Sequence, residues 1–196
     1  YAHLILPHFP YVLSPDCEYL GEGAGIIPKD QASCGIKLIL DLIDELKLLG
    51  RYKESMIVIH SDHGARFKIE ENKLVSVGKN ELDFHRARSR PLLLVKPINQ
   101  GAEVKFELVQ KPVQLTDIAP TILANLGLKT PKPMTGKNIL LESSNLETSV
   151  RNYYFYEKKG KKKGRRSWTD QMTHYEIEGN VITKIGLIDL KNNEER

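Results

Sequence analysis

Met56-Ile57-Val58-Ile59-His60-Ser61-Asp62-His63-Gly64 is the stretch that decides the fold. Its first four residues are apolar and rich in β-branching, which reads as a buried strand of a parallel sheet. The run then breaks at polar residues and a glycine. In open α/β sheets ligands sit beyond the carboxyl ends of the strands. Asp62 and His63 are therefore delivered where such folds do chemistry, and carboxylate and imidazole suit a zinc- or manganese-type cation. Gly64 lets the backbone turn away at once, with positive φ if required.

The helix before this strand is the strongest in the chain. Asp30 can cap it and Gly50 ends it. Ile36, Ile39, Leu40, Ile43 and Leu46 recur at helical spacing, and Leu38, Leu42 and Leu49 widen the stripe. Such a helix packs on a sheet, and a helix–loop–strand step predicts a parallel one. Upstream, His3-Leu4-Ile5-Leu6 reads as a core strand broken by Pro7-His8-Phe9-Pro10. Two prolines hold His8 in a rigid loop, where a backbone hydrogen bond, a metal or an anionic oxygen are all open to it. Residues 14–29 read as a surface loop.

After Gly64 about 26 polar residues precede the proline-bounded strand Pro91–Pro97, read as one long functional loop. It holds Arg66, Lys68, Lys79, His85, Arg86, Arg88 and Arg90, a cationic set suited to an anionic ester. Val104–Val109 alternates and reads as an edge strand. Thr116 to Gly127 reads as a second helix, capped by Thr116 or Asp117. From Tyr153 the character changes to aromatic strands, with a hairpin signal at Gly179-Asn180. The run Lys158 to Arg166 reads as a solvated tip; contact with nucleic acid or an anionic membrane is the alternative.

The 196 residues carry a net charge of +4. No apolar stretch reaches the ~18–20 residues of a membrane span. Cys17 and Cys34 are the only cysteines, too few for a metal framework; a disulfide and two separate thiols both stay open. The chain begins without Met inside an apparent core strand, so a piece of a longer protein is expected.

Together, His3 to Tyr11, Ile57 to Gly64, and Leu115 to Gly127 resemble the sulfatase family of the alkaline phosphatase superfamily. The resemblance covers about residues 1–142 and implies an α/β fold there, a three-layer sandwich with a mainly parallel sheet; residues 143–196 read from their own pattern as an antiparallel appendage. The resemblance implies that Asp62 and His63 bind a divalent metal (zinc, manganese or calcium) and that His8 contacts substrate. Lys79 or His85 supplies a further catalytic, substrate-binding group. The implied activity is hydrolysis of sulfate or phosphate esters, with the nucleophile on an upstream part. Headgroup transfer of the phosphoethanolamine or phosphoglycerol type, or non-catalytic polyanion binding, are the alternatives. Neither cysteine stands in a C-x-P-x-R context, and His63 replaces the Asn of many sulfatases, which tilts toward phosphate chemistry. The resemblance also implies an extracytoplasmic location, with a membrane anchor in the upstream part; nucleic acid is not expected as a partner.

Overall fold

A computed structural model describes residues 1–70, 73–76, 78, 82–141, 150–162, 165–190 and 194–195; at 68–70, 73, 74, 76, 157–162, 165–169, 194 and 195 it describes only the backbone. The chain forms two compact units, Tyr1–Ser55 with Pro97–Lys105, and Met56–Lys96 with Phe106–Arg196. The expected boundary between 142 and 143 lies outside the described residues.

The first unit is built on α1, Pro28–Leu48. Pro28 suits a first helical position because its missing N–H has no partner there anyway. Asp30 sits two residues further in and reaches back, its Oδ2 accepting from Ile27 N at 3.1 Å. The buried face of α1 is not the expected aliphatic stripe. It is Gln31, Cys34 and Gly35, while Ile36, Leu40 and Leu42 are exposed. Gly35 is buried because Leu6 crosses it: a Cβ there would stand 3.3 Å from Leu6 Cβ.

Gln31 is 2 % exposed and organises the opening loop. Its Nε2 donates to His8 O at 2.7 Å, and its Oε1 accepts from Val12 N at 2.9 Å and Leu13 N at 3.2 Å. One amide thus satisfies three backbone groups of a proline-rich loop that has no ladder to do so. Cys17 and Cys34 form a disulfide with Cα atoms 4.9 Å apart, tying the next loop to the same helix. The strand expected at His3–Leu6 is absent, as is that at Val104–Val109. Apolar alternation needs a pairing neighbour to become a strand, and among the described residues neither segment has one.

In the second unit β1, Ile57–His60, pairs antiparallel with β4, Leu93–Lys96. Every pairing among the described residues is antiparallel, so the mainly parallel sheet expected from the sequence is not what they make. Between these strands the expected single loop holds a hairpin, β2 (Phe67–Glu70) and β3 (Lys73–Ser76), and then α2, Leu82–Arg88. A helix of two turns shows too little periodicity to be read from sequence, yet Phe84 buries it firmly at 2 % exposure.

A 3₁₀ turn, Leu115–Asp117, leads into α3, Ile118–Asn125. Asp117 is buried and stands at the N-cap position of α3, but its side chain does not cap that helix: the carboxylate reaches back to accept from Gln114 N ahead of the 3₁₀ turn and across to accept from Lys137 N, both at 2.8 Å. The carboxyl-terminal sheet runs β5 (Arg151–Lys162), β6 (Arg165–Glu178), β7 (Val181–Asp189) and β8 (Glu194–Glu195), in that order. Tyr175, Ile177 and Ile182 form its core, with Tyr153 and Phe155 against them. The turn joining β6 to β7 is gripped by Arg90, which donates to Asn180 Oδ1 at 2.7 Å. No helix among the described residues is long and apolar enough to cross a membrane.

Two outcomes follow from these contacts. Gln31→Ala should lower the stability of the first unit by about 2–4 kcal/mol, because it orphans three backbone groups; a thermal melt within a degree of the parent would contradict the role. Burial pushes the Tyr153 phenol up to about 12, with Arg88 opposing and Tyr175 adding to the shift. The unfolded phenol ionises near ~10. This contribution to stability is therefore complete below about pH 10 and lost between ~10 and ~12. Tyr153→Phe should flatten that part of the pH–stability curve. At neutral pH it should cost little, since the buried Tyr153 hydroxyl makes no hydrogen bond among the described residues; an unchanged alkaline limb would refute the assignment.

Candidate metal centre

The segment after β1 is fixed from both sides. Ser61 N donates to Leu92 O at 3.1 Å and Leu92 N donates to Ser61 Oγ at 2.8 Å, which locks the strand's exit to the chain entering β4. Three residues on, Gly64 N donates to Arg88 O at 2.8 Å. A Cβ on Gly64 would lie 1.9 Å from Ala87 O and 2.6 Å from Arg90 O. Gly64 is thus needed because the end of α2 passes over it, not because of a positive φ as expected; its φ lies outside the left-handed region.

Between these two clamps stand Asp62 and His63. His63 Nδ1 lies 2.8 Å from Gly64 O. A carbonyl only accepts, so Nδ1 carries the proton and the neutral ring's lone pair is on Nε2. That nitrogen stands 3.5 Å from Asp62 Oδ2. Two donors each ~2.0–2.1 Å from a tetrahedral metal lie about 3.4 Å apart, so the pair has the bite of two ligands on one ion. The backbone bond to the far ring nitrogen is the outer contact that metal-binding histidines use to fix tautomer and orientation. The Asp62 side chain is 85 % exposed and His63 43 %, which leaves both donors accessible. The donor set therefore fits a divalent cation as two of its ligands. Among the described residues no group of three His, Cys, Asp or Glu is gathered for a metal.

Arg88 stands within electrostatic range of this pair. Its guanidinium is half-buried, and burial lowers its pKa with the like charge of Arg66, while Tyr153 and Asp62 act in the opposite direction. Asp62 and Tyr153 thus both lie within electrostatic range of the Arg88 cation.

The other expected residues fall in different places. His8 is exposed in the first unit, with Nδ1 2.5 Å from Phe9 O, in the loop that Gln31 holds. Lys79 lies outside the described residues. His85 is 5 % exposed and turned into the aromatic core. Its Nε2 is 3.0 Å from Tyr175 Oη, its ring stacks on Tyr175 at 4.4 Å, and Phe155 meets it edge-on at 4.9 Å. Nothing in the sequence singled out Gln31, Tyr153 or Tyr175. Gln31 lies beside Cys34 and Gly35 rather than on the aliphatic stripe of α1, so helical spacing carried no signal for it.

No protein-family model matches the chain. Among curated proteins it is 30 % identical over 111 residues to the 2,3-bisphosphoglycerate-independent phosphoglycerate mutase of Clostridium tetani, covering 57 % of this chain and 20 % of that one. It is 28 % identical over 106 residues to arylsulfatase K of Bos taurus, covering 54 % and 18 %. The chain thus spans about a fifth of the length of the curated relatives it matches. Among solved structures, that of BT4656 with its substrate D-glucosamine-2-N,6-O-disulfate is 17 % identical, with a TM-score of 0.45 over 84 % of this chain and 34 % of that one. An arylsulfatase and phosphoglycerate mutases are both among its relatives, so the chain is similar to proteins of the alkaline phosphatase superfamily, as the motifs indicated.

Proposed function

We propose that this chain is a metal-binding part of a hydrolase acting on sulfate or phosphate esters. The observation that carries the reading is the Asp62–His63 pair, with its 3.5 Å separation and its imidazole oriented by Gly64 O at 2.8 Å. A phosphate-handling and a sulfate-handling relative support it. When bound, a divalent cation would activate the nucleophile and neutralise charge on the ester oxygens.

The chain's own residues have distinct tasks in this reading. Asp62 supplies negative charge, and His63 a neutral nitrogen in one tautomer. Gly64 gives α2 the room to press on the loop. His8, in a loop pre-organised by two prolines and Gln31, donates to an anionic substrate oxygen. Lys79 is the second candidate donor. His85, enclosed by Tyr175 and Phe155, is a positioning residue that seats α2 on the sheet. The nucleophile belongs to another part of the protein. The Cys17–Cys34 disulfide supports an extracytoplasmic location, because such bonds persist in oxidising compartments.

Two substitutions in the full-length protein test the reading. Asp62→Ala should remove most of the bound metal and lower turnover of aryl sulfate or aryl phosphate by about 100-fold or more, in line with the loss of a ligand; undiminished metal content would exclude it. Gly64→Ala should weaken metal binding about tenfold while costing about 1–3 kcal/mol of stability, since backbone carbonyls must move aside. Calorimetric titration with zinc or manganese, beside a thermal melt, reads both effects.

A further inference from the structure

Seven of the nine residues from Lys158 to Arg166 are lysine or arginine, and no acidic residue lies between Glu157 and Asp170. The backbone gives this run a definite form. β5 and β6 pair from Arg151↔Ile177 out to Lys162↔Arg165. β7 pairs with β6 only from Glu178↔Val181 to Gln171↔Asp189. Past Gln171, β5 and β6 therefore continue as a two-stranded ribbon, about 17 Å long at the strand rise of ~3.4 Å.

The register makes the ribbon self-repelling. Lys161 is opposite Arg166, Lys162 is opposite Arg165, and Lys158 is opposite Trp168. Like charges directly opposite each other destabilise a strand pair. A two-stranded ribbon is marginal even without that burden. The register thus places an unfavourable ladder at the tip, which countercharge from an anionic surface would relieve.

The root of the ribbon identifies the kind of surface. Tyr153 and Phe155 face the core, so Tyr154 and Tyr156 stand on the other side of β5, each 44 % exposed. The Tyr154 ring stacks on His174 at 4.8 Å, which holds it in place. Amphipathic aromatic rings behind a cluster of Lys and Arg are the composition of segments that sit at lipid headgroup level. A ribbon is also a projection, not a groove: laid along a broad charged plane it brings the basic run and the tyrosine-bearing root to one surface, and it encloses no polymer chain.

We infer that the β5–β6 ribbon docks this protein on an anionic bilayer surface, with its cations on headgroup phosphates and Tyr154 and Tyr156 at the interface. Co-sedimentation of the 196-residue chain with sucrose-loaded vesicles tests this. Partitioning should be about 100-fold or more stronger onto phosphatidylglycerol mixed into phosphatidylcholine than onto phosphatidylcholine alone, and should fall steeply as salt is added. Joint Lys161→Gln, Lys162→Gln, Arg165→Gln and Arg166→Gln should abolish that preference with an unchanged far-ultraviolet spectrum, since the substitutions relieve repulsion. Tyr154→Ser with Tyr156→Ser should weaken binding several-fold irrespective of added salt. Equal binding to both vesicle types, or a preference insensitive to salt, would overturn the inference. So would binding to heparin or RNA without binding to vesicles, which would assign the ribbon to a soluble polyanion.

Discussion

The hydrogen bond from Gly64 N to Arg88 O, and the side-chain-free gap that permits it, is the constraint on which the second unit turns. It brings the carboxyl end of α2 onto the residues just past β1, where peptide carbonyls gather a partial negative charge. The same contact sets the direction in which His63 leaves the backbone, because the carbonyl that orients its ring belongs to Gly64 itself. Two neighbouring side chains become a possible chelate only because a third residue has none. Behind α2, His85 and Phe84 are packed among Tyr153, Phe155 and Tyr175, so the helix is seated by rings from strands about seventy to ninety positions later in the chain.

Local chemistry was legible in the sequence wherever one residue type decides the conformation. α1 is found within two residues of its expected start, Asp117 stands at the N-cap position of α3, and the turn at Gly179-Asn180 joins two strands as its composition indicated. Pairing was not legible. Ile57–His60 has the apolar run of a strand covered on both faces, but that run specifies burial and not the direction of a neighbour; here the neighbour is antiparallel Leu93–Lys96. Within the candidate site, Asp62 and His63 could be named from their position after a strand. The role of Arg88 could not, since it is one of four arginines from residue 66 to residue 90, and only folding distinguishes the one near Asp62.

Exposure along α1 carries a related lesson. Helical spacing of Ile36, Ile39, Leu40, Ile43 and Leu46 implied an opposing sheet, and the helix forms as the spacing requires. Within the described residues, however, burial falls on Gln31, Cys34 and Gly35 instead. Periodicity determines that a face exists; what covers it depends on the rest of the assembly. A chain spanning about a fifth of its curated relatives would be expected to show such a difference.

The bond between Cys17 and Cys34 closes a covalent ring that also contains Ile27 and Gln31. Gln31 lies three residues before Cys34, on the same turn of α1, and it is the residue that holds the His8 loop. The sulfur bridge and the amide therefore grip the first thirty-odd residues from one helical turn. Synthesis where thiols stay reduced would leave that turn with only its hydrogen bonds, so the compartment of folding bears on how well His8 is presented.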